Sequence, residues 1–247
     1  MKNNLKPKII ATSVAGAHHT NLKQSCQDYN CHKIGKNLVA VVSDGAGSAK
    51  FGKTGAKIIC ETLCDILKNA DFKNIKKYVL SAINSAREKL IIHRRNTYKS
   101  EQGIEDFAAT LVGVVYKNGQ GIFFHIGDGA AIAFKNNYND FIISRPENGD
   151  FSCETFFYTQ HEWKENLRFT HFEKASTIIL MSDGVTNFSF SDDFNKLEHN
   201  FITPIDVFLK NTPSKSKAIK ALTNTLKNPK AQKINPDDKT LVWIKVM

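Results

Sequence analysis

No uninterrupted apolar run in this chain approaches the roughly 20 residues needed to cross a bilayer. The first residues, Met1 to Lys8, are polar and basic, and no apolar signal-peptide core follows them. Both absences point to a cytoplasmic protein without a membrane partner. Cysteine is sparse: Cys26, Cys31, Cys60, Cys64 and Cys153 form an odd set with no Cys-x-x-Cys pair. No His or Cys pair with finger-like spacing lies near them, which argues against zinc. Cys60 and Cys64 stand four apart in a helical pattern and should share one face as small apolar groups. Reduced thiols suit the cytoplasm. Ser43 and Ser182 lie in no Gly-x-Ser-x-Gly elbow, so nucleophilic serine chemistry is not expected. Gly45 to Lys50 is a glycine-containing loop, but it lacks the spacing and the Lys-Ser/Thr end of a Walker sequence.

What remains is an ordinary globular composition. Of 247 residues, 41% are hydrophobic and 23% charged, enough for a core in one domain over residues 1–247. No linker, repeat or low-complexity tract divides it. The formal net charge is +10. Lys210, Lys215, Lys217, Lys220, Lys227, Lys230 and Lys233 follow one another without an intervening acid. A second basic run is Lys73, Lys76, Lys77, Arg87, Lys89, Arg94 and Arg95. These describe either a solvated surface or a patch that attracts acidic or phosphorylated partners. No aromatic residue interleaves the lysines from Lys210 to Lys233, so nucleic acid is not an expected partner.

Short apolar stretches bounded by turn residues predict strands at Lys8–Ala15, Asn37–Ser43, Ala108–Tyr116, Gly121–Ile126 and Ala130–Phe134. Further strands are predicted at Phe141–Ser144, Glu154–Tyr158, Leu167–Phe172, Thr177–Ser182 and Thr240–Val246. Asn118-Gly119 reads as a hairpin turn, and the turns at residues 127–129 and 136–139 would continue that meander. Two helices fall between the second and third strands. One carries the apolar stripe Ala56, Ile59, Cys60, Leu63, Ile66 and Leu67; the other carries Ile75, Val79, Ala82, Ile83, Ala86 and Leu90. Helices are also predicted at Pro204–Lys210, with Thr203 as N-cap, and at Ser214–Leu226. Strands without helices between them, and helices in sets, argue for an α+β protein with antiparallel sheets.

Three times an apolar strand runs straight into Asp-Gly, at Asp44-Gly45, Asp128-Gly129 and Asp183-Gly184. A fourth acidic pair, Asp237-Asp238, stands just before the last strand. One Asp-Gly is an ordinary turn, and unrelated turns are the plain alternative. Repetition favours convergence: carboxylates delivered to one rim repel each other and need a cation. Aspartates without His or Cys are hard oxygen donors suited to Mg or Mn. The glycine after each Asp lets the backbone turn sharply and frees its carbonyl to approach a metal. His18-His19 could reach a substrate phosphate, although loop histidines of this kind are usually solvated or hydrogen-bonded. His125, inside an apolar strand, reads as a packed core residue.

In order and context these motifs resemble the phosphatase 2C family of metal-dependent Ser/Thr protein phosphatases. The resemblance runs through Gly16, Lys23 and Gln27-Asp28, then Ser43-Asp44-Gly45-Ala46-Gly47 before a helix. It continues through Ala109-Thr110-Leu111, Gly127-Asp128-Gly129, Ser182-Asp183-Gly184 and Asp237-Asp238-Lys239-Thr240. The bacterial branch with Cys-Gln-Asp and Ser-Asp-Gly-Ala-Gly is most similar. The resemblance implies a central antiparallel β-sandwich flanked by helix pairs, with two Mn or Mg ions at one end of it. Activated water there would hydrolyse phosphoserine or phosphothreonine in a phosphorylated protein substrate. A cognate Ser/Thr kinase is a further candidate partner. It also implies roles: Asp44 bridges the ions, Asp183 and Asp237 complete one, and the Gly45 carbonyl with Asp28 serves the other. Asp128 with Asp183 can hold a third, weaker ion. Lys23 replaces an arginine that grips the substrate phosphate, exchanging a bidentate fork for a point charge. Ala46 replaces a histidine found in some members, Gly129-Ala130 replaces Ser-Arg, and Asp238 replaces Asn. These departures keep open a catalytically weak phosphoprotein-binding module of the same fold. Residues 145–172 occupy the place of the family's variable flap, as a substrate-selecting segment or as two more strands.

Overall fold

The computed structural model describes residues 7–98, 103–135, 137–147, 155–191 and 194–246. The chain opens with β1 (Lys8–Val14), a short helix α1 (Ala17–Asn21), β2 (Tyr29–Ile34) and β3 (Leu38–Ser43). Two long helices follow, α2 (Gly52–Leu67) and α3 (Ile75–Tyr98). Next come β4 (Leu111–Lys117), β5 (Gln120–Ile126), β6 (Ala130–Phe134), β7 (Phe141–Ser144), β8 (Arg168–Glu173) and β9 (Thr177–Met181). The rest holds α4 (Asp183–Ser189), the two-residue strands β10 (Phe190–Ser191) and β11 (Lys196–Leu197), and α5 (His199–Asn211). The chain ends with α6 (Lys215–Leu226), α7 (Pro229–Ile234) and β12 (Lys239–Lys245).

Alternating side chains explain how these elements layer. In β3, Leu38, Ala40 and Val42 point between two sheets and meet Ile178, Leu180, Val242 and Ile244. Val39 and Val41 point the other way, onto the α2 and α3 stripes at Ile59, Leu63, Ile83 and Leu90. In the opposite sheet, Ile10, Ile132, Ile179 and Trp243 turn their backs on the sandwich. They pack under α5 and α6 against Ile205, Leu209 and Leu222. The sheets run β1-β12-β9-β6-β7 and β2-β3-β4-β5-β8, with every neighbouring pair antiparallel. Because both faces of each sheet are covered, the central strands read as unbroken apolar runs. Each fully buried Leu, Ile or Val contributes roughly 1.5–3 kcal/mol.

Several sequence expectations change. The meander does not continue past β5: at Gly127 the chain crosses to the other sheet, and β6 pairs with β7 and β9. Gly127 takes a left-handed φ of +106° to make that crossing. The β6–β7 turn includes residue 136, outside the described residues. The edge strand β2 was not expected. Its Tyr29 and Cys31 touch the α2–α3 core, while polar Asn30 and His32 alternate with them and weaken the apolar signal. Thr155 to Tyr158 form no strand, and Glu154 lies outside the described residues. Arg87 takes the carbonyls of Tyr158 and Gln160, at 2.6 and 2.9 Å, spending acceptors a ladder would need. The helix predicted from Pro204 begins at His199, with Pro204 inside it. Proline forfeits one bond to the carbonyl of Asn200, and both residues are exposed, so water can serve that carbonyl. Helices α1, α4 and α7 are short, five to seven residues, below the length at which an apolar stripe becomes readable. Cys60 and Cys64 are buried on one face of α2, as expected; Cys153 lies outside the described residues.

A buried carboxylate anchors α5 to the sheet. Asp206 is fully buried and accepts from Tyr138 Oη at 2.6 Å, Thr177 Oγ1 at 3.2 Å and Trp243 Nε1 at 2.8 Å. Lys210 Nζ lies 2.7 Å from Oδ2, the oxygen that also accepts from Tyr138. Replacing Asp206 by Ala should cost about 3–5 kcal/mol, because it strands three donors and a cation. Asp206→Asn should cost less, since one acceptor survives. Urea unfolding of both variants checks this; a loss below about 1 kcal/mol for Asp206→Ala would reduce the anchor to an ordinary surface pair.

Candidate active site

Strand register carries the aspartates to one rim. Tyr29 pairs with Ser43, which sets Asp28 beside Asp44, and Val42 pairs with Val112. Met181 pairs with Leu241 on one side and Ala130 on the other. The end of β9 therefore lies beside the starts of β12 and β6, and Asp183, Asp237 and Asp128 meet there. A cavity of about 400 Å³ opens at this rim, lined by Asp44, Asp128, Asp183 and Asp237. Thr110, Thr155, Phe157 and Gln160 line it as well, with residues 46–48. The four aspartates expected to converge do so here. Asp28 is buried just behind them, and both it and half-buried Asp183 interact with the Asp44 carboxyl. Asp44 thus stands between two neighbours. Lys23 is exposed, in a left-handed turn (φ 55°) after α1, and does not line the cavity.

Small hydrogen bonds hold the carboxyls. The Asp44 amide donates to Thr110 Oγ1 at 3.0 Å, and the Thr110 amide returns to the Asp44 carbonyl at 2.8 Å. Ser182 Oγ donates to Asp28 Oδ2 at 2.8 Å and accepts from the Thr240 amide at 2.9 Å. Thr155 Oγ1 donates to Asp128 Oδ2 at 2.7 Å. Sequence reasoning missed the work of Ser182, Thr155 and Gln160. The serine before Asp-Gly was visible; the two flap residues carried no signal at all. His125 is a core residue as expected, fully buried and 3.0 Å from Ser144 Oγ through Nδ1, with burial holding its pKa well below the ordinary value.

The glycines after the aspartates serve close packing rather than a left-handed turn. A Cβ on Gly45 would sit 2.4 Å from the Gly52 carbonyl carbon, and one on Gly184 would sit 1.8 Å from the Asp238 carbonyl oxygen. Neither residue has positive φ. The Gly184 approach docks the start of α4 directly onto the Asp237–Asp238 segment.

Electrostatics show what the rim lacks. Burial, then the charges of Asp128 and Asp237, push Asp183 up to about 8. Burial pushes Asp28 up to about 6, and burial with the Asp28 and Asp183 charges drives Asp44 well above the carboxylate range. Among the described residues, nothing donates to the buried oxygens Asp28 Oδ1, Asp128 Oδ1 and Asp183 Oδ1. Unsatisfied carboxylate oxygens around one cavity, with raised pKa values, fit a hard divalent cation.

The sequence matches the description "Protein phosphatase 2C" over residues 15–227. The chain belongs to the protein phosphatase 2C family. It is a protein phosphatase, a hydrolase, of a metal-dependent family. Asp237 lies beyond the matched segment, yet the structure sets it among the other aspartates. The chain is 23% identical to Serine/threonine-protein phosphatase 3 of Escherichia coli K12, over 95% of this chain and 96% of that one. It shares the fold of the serine/threonine phosphatase Stp1 of Staphylococcus aureus (TM-score 0.67, 12% identity, covering 100% and 98% of the two chains). The same holds for the S. agalactiae serine/threonine phosphatase (0.65, 13%, 98% and 100%). PppA of Pseudomonas aeruginosa is similar again (0.66, 13%, 98% and 99%).

In this phosphatase 2C chain the raised carboxyls give a testable pH dependence. The ordinary carboxyl value is 3.8, and the folded values for Asp28 and Asp183 are about 6 and about 8. The folded, metal-free protein therefore binds more protons than the unfolded chain between these limits. Its stability should fall as pH rises from about 4 to about 8. Mn should offset that loss, so it should raise the unfolding midpoint more at pH 8 than at pH 5. Thermal unfolding with chelator and with Mn at both pH values measures this, and equal shifts would contradict the electrostatic account.

Proposed function

We propose that this chain removes phosphate from phosphoserine and phosphothreonine in proteins at a two-ion aspartate site, as one domain over residues 1–247. The observation that carries the reading is the convergence of Asp44, Asp128, Asp183 and Asp237 on one cavity, with undonated oxygens among them. Asp44, Asp183 and Asp237 would hold the ions, with the Gly45 carbonyl and Asp28 completing the set. Asp128 would share a third ion with Asp183. Bound Mn or Mg would supply Lewis-acid activation of water and neutralise charge on the phosphoryl oxygens.

The chain's own residues do the rest. Asp44, flanked by Asp28 and Asp183, fits a ligand shared between two sites. Thr155 orients Asp128, and Phe157 and Gln160 wall one side of the entrance. Ala46 offers no titratable group, so no side chain at that position protonates the leaving alkoxide. Lys23, out on its loop, attracts the phosphate electrostatically rather than gripping it. The names of the Escherichia coli, Staphylococcus and S. agalactiae relatives favour serine and threonine as substrate residues. A Ser/Thr kinase must supply such substrates, and the cytoplasm is where we place the reaction. No described helix is long and apolar enough to cross a membrane.

Hydrolysis of a phosphothreonine peptide should require Mn or Mg and vanish with chelator. Asp44→Asn and Asp183→Asn should each lower turnover by at least about 100-fold, and Asp128→Asn by less. Full turnover in metal-free protein, or in folded Asp44→Asn, would sink the two-ion reading.

Lys23 makes a separate prediction. Lys23→Ala should raise the Michaelis constant for the same peptide about threefold or more, and Lys23→Arg should preserve or lower it. Unchanged constants in Lys23→Ala would return this residue to solvent.

A further inference from the structure

Asp238 follows the proposed ligand Asp237 but turns away from the cavity, with 1% of its surface exposed. Its Oδ1 accepts from the Gly16 amide at 2.7 Å and lies 2.9 Å from His19 Nδ1. Its Oδ2 accepts from the Gln27 amide at 2.5 Å. Gly16 and Gln27 precede it by 222 and 211 residues, so one side chain joins the loop before the last strand to the stretch from Gly16 to Gln27. The amide of Asp238 in turn donates to Asp237 Oδ1 at 2.7 Å. Any shift of Asp238 therefore reaches the Asp237 carboxylate through one hydrogen bond.

The need for an aspartate follows from donor counting. Both Asp238 oxygens face N–H groups, and an ionised carboxylate is acceptor-only. Asparagine, the residue in the family pattern, would turn its own NH2 toward one of those amides. Opposing it from behind, fully buried Lys239 donates from Nζ to the carbonyls of Asn235 and Asp237, at 2.6 and 2.7 Å. Gly16 leaves the loop no slack: a Cβ there would lie 2.1 Å from the Pro236 carbonyl oxygen.

We propose that Asp238 is a positioning residue. It clasps the loop bearing Asp237 to Gly16, His19 and Gln27, so that the Asp237 carboxylate is aimed before any cation arrives. His19, Asp237 and Asp238 also offer atoms within 4.8 Å of one another, the spacing of a separate ion site. The hydrogen bonds argue otherwise. Both Asp238 oxygens and Asp237 Oδ1 already accept from amides, so the trio is a clasp and not another metal centre.

The proposal rests on Asp237 being a ligand of the two-ion site, and the experiment separates the two. Mn binding is read by electron paramagnetic resonance on the purified full chain without substrate, for wild type, Asp237→Asn, Asp238→Asn, His19→Phe and Ile83→Ala. Ile83, buried between α2 and α3, supplies a destabilised control far from the rim. Asp238→Asn should weaken Mn binding about tenfold, the usual scale for a residue that orients a ligand, with His19→Phe showing a smaller loss. Ile83→Ala should bind as wild type at temperatures where it is folded. Wild-type binding by Asp238→Asn beside a loss in Asp237→Asn would overturn the clasp and leave the site intact. Equal losses in Asp238→Asn and Ile83→Ala would make the effect one of stability and overturn it too. Wild-type binding by Asp237→Asn would remove the ligand reading and the proposal with it.

Discussion

Repulsion among carboxyls gathered at one end of the sandwich is the constraint on which the rest of the structure depends. Two full charges about 4 Å apart repel by roughly 4 kcal/mol at an effective dielectric of 20. A folded domain has only about 5–15 kcal/mol of net stability in total. Several such pairs cannot be left uncompensated; burial first, and neighbouring carboxylate charges second, raise Asp44 and Asp183 above the ordinary carboxylate range, and burial raises Asp28. A cation answers better, because it satisfies oxygens that no donor among the described residues reaches. The demand for metal is therefore a property of the fold as much as of the reaction.

The sandwich makes that arrangement rigid. Asp44, Asp128 and Asp183 each sit a residue or two beyond a strand whose register is locked on both sides, and Asp237 stands two residues before another; a one-residue slip would send such a strand's apolar set to the wrong face. Such a slip in β3 would take Leu38, Ala40 and Val42 out of the inter-sheet core and put them toward α2. Packing energy spread over the whole sheet thus protects the position of a few charged groups at its edge. The flap is tied in the same manner. Arg87 takes two of its carbonyls, and Tyr158 Oη donates to the Gly55 carbonyl at 2.9 Å, so the wall with Phe157 and Gln160 is fixed to α2 and α3.

Much of this was legible in the amino-acid sequence, for physical reasons. Long amphipathic helices and fully buried strands have strong periodicity, so β3 and β9 were found nearly to the residue, and the buried stripes of α2 and α3 were recognised although α3 runs on to Tyr98. Asp-Gly at the ends of apolar runs marked the rim, because strand ends and close backbone packing leave few other choices there. The misses share a cause as well. An edge strand half in solvent, such as β2, has no full apolar face. A crossover such as Gly127 to Gly129 has the same local chemistry as a hairpin, and only the pairing of β6 with β9 distinguishes them. Pro204 misled because a proline bias toward helix starts was read as a rule, while an exposed carbonyl made its interior position tolerable.

The supporting residues were harder to see because their function lies in partners far away along the chain. Ser182 looks like any serine before a turn until Asp28 is placed beneath it and the Thr240 amide above it. Asp238 reads as one more acid in an acidic pair, and periodicity cannot say that it faces two amides from the other end of the molecule. Yet the departures from a family pattern are places where a local rule has been rewritten, and each rewriting needs a physical cause. An acid in place of an amide implies that both oxygens are needed as acceptors. A lysine buried beside it implies carbonyls with no other donor, and both conditions hold in the loop from Asn235 to Lys239. Departures can therefore be read as structural statements, provided the question asked of each is which donors and acceptors it must satisfy.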